Sequence, residues 1–428
     1  MIQNRDRILS FHDTSLQTDW RQSIARRREY AFAVFSFFES VILNPLLNNH
    51  DLRSINPKGY CEDQNQKSIH KLCVLTKGVC LCNVALEREI FMKAVGYKES
   101  LPIENPSALL DIELPVPRPE NRDLLVEIRA ISVNPIDVKV RMRAQPHKEE
   151  YRVLGWDAAG IVKEAGPEAT LFKPGDEVYY AGSIARQGTN SEFHVVDERI
   201  VGRKPKSLDF SHAAALPLTT ITAWELLFDR FGVQQGAKID GGTLLVIGGA
   251  GGVGSILIQL ARKLTGLTVI ATASRPETQA WCIDLGAHHV IDHGKPFAEQ
   301  LSSIGNPQVN YIASLTATDT HYPAVVDVLA PQGKFGLIDN PKTLDALPLK
   351  QKAASLHWEF MFTRSLFNTP DILKQHNLLN QVADLVDTGI IRSTTGNEFG
   401  TINATNLKRA HALIESGRSR GKIVLAGF

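Results

Sequence analysis

Residues 244–256 read LLVIGGAGGVGSI: four apolar residues, a burst of glycine, then a second apolar stretch. A chain places that much glycine where its backbone turns sharply or where something approaches it closely. Gly249-Ala250-Gly251-Gly252-Val253-Gly254 satisfies G-x-G-x-x-G. It leaves a buried-strand pattern and enters a helix pattern with Ile256, Leu257, Leu260 and Leu264 on one side. A glycine turn alone is a weak signal, but this strand-before, helix-after context is what a dinucleotide site requires. Gly249 then allows the tight turn, Gly251 admits a pyrophosphate against the backbone, and Gly254 lets helix and sheet pack closely. Gly252 and Val253 open the helix, whose free N–H groups and positive dipole end face the phosphates.

The grammar around the motif supports an α/β fold. From about residue 216, strand and helix patterns alternate: TVIATA, PETQAWCIDLG, HHVIDH, VNYIAS and GKFGLID follow the glycines. Repeated βαβ units imply a doubly wound parallel sheet, here expected over 216–362. Residues 92–215 are instead β-rich. LLVEIRAISV alternates apolar and polar residues, and DAAGIVKEAG and KPGDEVYYAG are short strands beside Gly or Pro turns, which suggests a barrel-like domain. Residues 363–428 supply an amphipathic helix and a last strand, expected to return to the barrel.

Residues 1–91 differ. They lack sustained periodicity and hold Cys61, Cys73, Cys80 and Cys82, leaving Cys282 alone beyond them. Those spacings match no metal knuckle and no disulfide framework. Met92 is therefore expected to be the native start, with 1–91 a poorly structured extension translated from upstream sequence. Arg88–Glu89 could be encoded by AGG-GAG, a purine-rich ribosome-binding site.

The end of the second strand of the α/β part selects the dinucleotide. Chains that prefer NAD place Asp or Glu about 20 residues after the glycines to bind the ribose 2′-hydroxyl. Here the segment reads ATASRPE, with Ser274 and Arg275 in that place and no acid before Glu277. A hydroxyl followed by a guanidinium suits a 2′-phosphate, so NADPH is the expected cofactor. Ser274-x-x-Glu277 also reads as a capping box with Pro276 in the first turn, and the two readings are compatible.

Composition excludes other classes. A formal net charge of +1 offers no footprint for nucleic acid. No 18 consecutive apolar residues occur; the nearest stretch, 30–47, carries Glu39 and Pro45, so a membrane span is not expected and the protein is read as cytoplasmic.

Taken together, SVNPIDVKVR (132–141), LGWDAAGIV (154–162), KPGDEV (173–178), ALPLTTITAWELL (215–227), GGAGGVG (248–254) and the ending GKIVLAGF resemble the medium-chain dehydrogenase/reductase superfamily. The resemblance covers nearly all of 92–428 and none of 1–91. It is nearest to the zinc-type alcohol dehydrogenase-like branch, close to quinone and enone oxidoreductases. It implies a GroES-like β-barrel catalytic domain, a Rossmann cofactor domain, an active site between them, and a homodimer.

The metal departs from the zinc-dependent relatives. Their Cys, His and second Cys ligands correspond to Asn134, Trp156 and the neighbourhood of Leu218, and the four-cysteine structural lobe is missing from 179–196. None of these is a plausible ligand, except weakly through Asp157, and with about three protein ligands needed no bound metal is expected. Without a Lewis acid an alcohol or simple ketone is a poor substrate, whereas a quinone or α,β-unsaturated carbonyl spreads its negative charge to an oxygen that hydrogen-bond donors can stabilise. Asn134 could offer its amide and Lys139 its ammonium, with Asp137 orienting Lys139 if the segment is extended. A surface ion pair beside a proline turn reads equally well from the residues alone. The resemblance places Thr222 against the nicotinamide. Two rivals remain at this stage: a zinc alcohol dehydrogenase using other ligands, and an NADPH-binding protein with little catalysis.

Overall fold

The alternation in MKAVGY and LLVEIRAISV becomes antiparallel pairing. Phe91–Tyr97 (β1) pairs with Leu110–Pro115 (β2), and Asp123–Val133 (β3) is the long strand on which a second sheet is built. The computed structural model describes residues 90–147, 150–236 and 241–428, and before them the antiparallel pairing of Leu75–Thr76 with Val79–Cys80. The reading of 1–91 as upstream sequence thus lies outside the described residues, apart from that pairing and Ile90–Phe91.

After β3 the chain makes helix α1 (Pro135–Arg143) and strands β4 (Arg152–Val153), β5 (Ala158–Ala165), β6 (Glu177–Tyr180), β7 (Phe193–Asp197) and β8 (Val201–Arg203). Helices α2 (Phe210–Ala214) and α3 (Pro217–Trp224) lead into the second layer. There β9 (Thr243–Ile247) is followed by α4 (Gly252–Leu264), β10 (Thr268–Thr272), α5 (Pro276–Asp284), β11 (His289–Ile291), α6 (Phe297–Ser303), β12 (Val309–Ser314), α7 (Thr318–Val328), β13 (Leu329–Leu337) and β14 (Ser355–Trp358). The remainder is α8 (Thr363–Phe367), α9 (Leu373–Asp387), β15 (Thr395–Glu398), α10 (Ala404–Glu415) and β16 (Lys422–Ala426).

The second layer is a six-stranded, all-parallel sheet in the order β11-β10-β9-β12-β13-β14. Strand β9, at its centre, is buried at all five positions, as a strand covered on both faces must be. Its residues alternate between two cores. Leu244 and Val246 join Ile256, Leu257 and Leu260 of α4, whereas Leu245 and Ile247 join Phe297, Leu301 and Phe335 on the other face. The order reverses at β9, the strand that carries the glycines, and such a switch point is where open α/β sheets bind ligands.

The barrel sheet has the order β8-β6-β5-β3-β16-β15, with β7 also on β3. Its last partner arrives from the far end of the chain: β16 pairs antiparallel with β3, Ile423 opposite Val133. This closure carries residue 422 to the end of β3, beside Asn134.

Candidate active site

Pro135 is the first residue of α1 and Asp137 the third, so NPID begins a helix rather than the extended segment that an orienting role for Asp137 would need. Asp137 Oδ2 accepts the Asn134 backbone N–H at 2.7 Å, the reciprocal half of a capping box. Residues two apart on a helix point to different sides, so Asp137 does not orient Lys139. That is a correction: Asp137 is buried and holds the start of the helix, while Lys139 is half-buried, with no hydrogen bond or ion pair to hold it among the described residues.

Burial pushes the Asp137 carboxyl up to about 7 from an ordinary value of 3.8, against the Asn134 N–H and the Lys422 ammonium, which pull it down. A carboxyl raised in the folded state favours folding while protonated, and that contribution is lost as pH climbs from about 4 to about 7. Asp137→Asn cannot ionise. Its melting temperature, set against the wild type at each pH, is expected to gain by about 5 °C across that window. A constant difference between the two melting curves would show that Asp137 does not titrate there.

Asn134 is also committed inward. Its side-chain N–H groups donate to Asp157 Oδ2 at 2.8 Å and Ser132 O at 3.3 Å, and its Oδ1 accepts from Lys422 Nζ. The amide therefore has no free donor for an oxyanion, which corrects the role expected for it. Asp157 is the hub. Its Oδ1 accepts the Leu218 backbone N–H at 2.7 Å, placing a carboxylate at the N-terminus of α3, and its Oδ2 meets Lys422 Nζ at 2.9 Å. Burial raises the Asp157 pKa, while the Lys422 ammonium and the Leu218 N–H oppose the rise. Trp156 donates its indole N–H to Ser183 O at 3.2 Å and meets the Phe362 ring edge-on at 6.1 Å. Thr222, one turn beyond Leu218, is buried with its hydroxyl bonded to Leu218 O at 2.9 Å.

The structure thus brings together Asn134, Asp157 and Leu218, at or beside the positions that the resemblance assigns to the zinc ligands. The donor set does not fit that ion. An amide, an indole and a leucine supply no thiolate or imidazole, and the Asp157 oxygens already accept from Leu218, Asn134 and Lys422. Among the described residues, no group of three or more His, Cys, Asp or Glu side chains is arranged to hold a metal.

The glycine loop does fit a dinucleotide. Gly251 is the N-cap of α4 and no side chain caps this end, so the first N–H groups, those of Gly252, Val253 and Gly254, lack intrahelical acceptors. A β-carbon on Gly251 would meet only Gly248 O, at 3.4 Å, so the cradle above it is open. Gly249 N–H donates to Thr272 O at 3.2 Å, tying the loop to the end of β10. There Arg275, not Ser274, is the N-cap of α5, which corrects the capping box expected; Ser274 is exposed. Arg275 Nε lies 3.1 Å from Glu277 Oε1, and a terminal N–H donates to Arg418 O at 3.1 Å.

The sequence reading missed Lys422 and gave Asp157 no more than a weak ligand's part. The one local sign was a lysine heading the apolar run KIVLA, since a lysine buried in a strand must find a partner.

Comparison with known proteins agrees with this architecture. Residues 120–206 match the alcohol dehydrogenase GroES-like domain and residues 285–425 the zinc-binding dehydrogenase domain. A zinc-type alcohol dehydrogenase-like protein from Staphylococcus aureus (strain MSSA476) is 40% identical over 338 residues, which is 78% of this chain and 99% of that one. A crystal structure from Rhizobium etli CFN 42, provisionally named a zinc-dependent alcohol dehydrogenase, shows 56% identity and a TM-score of 0.77 over 80% of this chain and 99% of its own. A quinone oxidoreductase from Coxiella burnetii shows 26% identity and a TM-score of 0.65 over 79% of this chain and all of its own.

Proposed function

The chain belongs to the medium-chain dehydrogenase/reductase superfamily and is an oxidoreductase of that type, and from this premise we propose that it transfers hydride from NADPH to a small conjugated carbonyl or quinone without a metal. The observation that carries the reading is the side-chain set at the zinc position, where Lys422, Asn134 and Asp157 satisfy one another. A conjugated acceptor suits such a site, because the charge it gains spreads to an oxygen that a hydrogen-bond donor can stabilise. The likeness to a quinone oxidoreductase supports the same acceptor class.

Each residue has a part in this proposal. The N–H groups of Gly252, Val253 and Gly254 bind the pyrophosphate, with Gly249 and Gly251 shaping the turn. Ser274 and Arg275 meet the 2′-phosphate. Thr222 lies against the nicotinamide. NADPH, when bound, supplies the hydride. Lys139 offers its ammonium to the acceptor oxygen, and Asn134 and Asp137 fix the start of the helix that carries it. No helix among the described residues is long and apolar enough to cross a membrane. We place the enzyme in the cytoplasm as a homodimer. The second part rests on the outer strand β14, where Trp358 is 54% exposed.

Initial rates with NADPH and NADH, using a small enone and a simple quinone, test the reading. The wild type is expected to prefer NADPH. Arg275→Ala is expected to lower kcat/KM for NADPH about 10- to 100-fold, the worth of a charge-assisted hydrogen bond, and to leave NADH unchanged. Equal losses with both cofactors would make Arg275 a structural residue only.

A further inference from the structure

We propose that Lys422 is a positioning residue that registers the dinucleotide loop against the acceptor side of the site, a role that rests on the reductase reading above. Its stem and its head do separate work. The stem lies along the glycine loop: a β-carbon on Gly252 would come within 2.9 Å of Lys422 Cδ and 3.1 Å of Thr219 Cγ2. The preceding residue is tied to the same loop, Gly421 N–H donating to Ala250 O at 2.9 Å.

The head reaches the other way. Its Nζ donates to Val133 O at 3.2 Å, to Asp157 Oδ2 at 2.9 Å and to Asn134 Oδ1, so the three protons of the ammonium meet three acceptors. Asp157 continues the chain of contacts to Leu218 N–H, and Leu218 O holds the Thr222 hydroxyl. One connected path therefore runs from the pyrophosphate loop, through Lys422 and Asp157, to the helix that carries Thr222. It joins the ends of β3 and β16, the loop before β5, and α3.

A pair this deep is a weak source of stability, because desolvating both charges costs about as much as their attraction returns. Lys422 is 3% exposed and Asp157 wholly buried. What the pair does supply is fixed geometry, and fixed geometry at a hydride-transfer site is worth a large factor in rate.

Three variants separate stem from head. Lys422→Met keeps the stem and removes the head, Lys422→Ala removes both, and Lys422→Met with Asp157→Asn removes both charges without leaving a buried carboxylate alone. Lys422→Met is expected to speed amide exchange at Leu218 at least about tenfold, and to lower kcat for an enone about 100-fold per folded molecule. Its NADPH affinity, from fluorescence titration, should stay within about threefold of wild type, whereas Lys422→Ala should weaken it by about tenfold or more. The double variant should show the same slow turnover and fast exchange, and it supplies these readouts if Lys422→Met does not fold. Wild-type exchange at Leu218 together with wild-type kcat in either head-deleted variant would overturn the proposal, as would a loss confined to melting temperature. If the wild type reduces no enone or quinone, the reductase reading falls, while amide exchange and NADPH affinity still decide the part of Lys422.

Discussion

Gly254→Val is expected to abolish dinucleotide binding. A β-carbon at Gly254 would lie 2.5 Å from Gly248 O and 2.6 Å from Gly249 O, both backbone atoms of the turn between β9 and α4. No rotamer relieves that contact, so the first turn of α4 must lift from the strand and carry its N–H groups away from the phosphates. The loss in NADPH affinity should exceed about 100-fold, close to 3 kcal/mol, and melting temperature should fall as well. Gly251→Ala provides the contrast. Its β-carbon would meet one atom, Gly248 O at 3.4 Å, so the fold should tolerate it. The methyl would instead stand where the pyrophosphate approaches, and affinity should drop about tenfold with little change in melting temperature. Fluorescence titration and thermal melting on both variants separate the effects. A Gly254→Val protein that binds NADPH normally would contradict the placement of the phosphates.

Lys139→Met is expected to lower kcat about 100-fold while NADPH affinity stays near wild type. Asn134 spends its amide on Asp157 and Ser132, Lys422 its ammonium on three acceptors, and the Thr222 hydroxyl its proton on Leu218 O. Of the four residues proposed to line this part of the site, Lys139, half-buried on α1, is the one with no hydrogen bond or ion pair among the described residues, and removing one oxyanion donor costs about 10²–10³ in kcat. Methionine keeps the stem, so packing changes little. A kcat within a few-fold of wild type would move the oxyanion donor elsewhere, to a backbone N–H or to water.

The glycine motif was legible because each glycine answers a local steric demand that sequence spacing records. The parallel sheet was legible for a similar reason, since β9 and its neighbours are short apolar runs separated by helix patterns. The orienting role for Asp137 supposed an extended segment where the chain forms the helix 135–143, although Pro135 and Asp137 stand at its first and third positions, both ordinary helix-start signals. Its weak apolar periodicity hid it. The cap at Arg275 rather than Ser274 is a shift of one residue, the usual uncertainty of a helix boundary. Lys422 was beyond reach for a different reason. It lies 288 residues from Asn134 and 265 from Asp157, and chain closure through β16 alone makes them neighbours. A buried carboxylate hub such as Asp157 is likewise defined by partners from separate elements, which no local pattern announces.

Hydride transfer without a metal is the core of the proposed function. The most direct test is to purify the protein in chelator, measure its zinc content, and follow NADPH oxidation with a small enone and a simple quinone. Sustained turnover is expected with zinc far below one ion per chain, unchanged when zinc is added. Silence with both acceptors, and activity on an alcohol with NADP once zinc is restored, would contradict it.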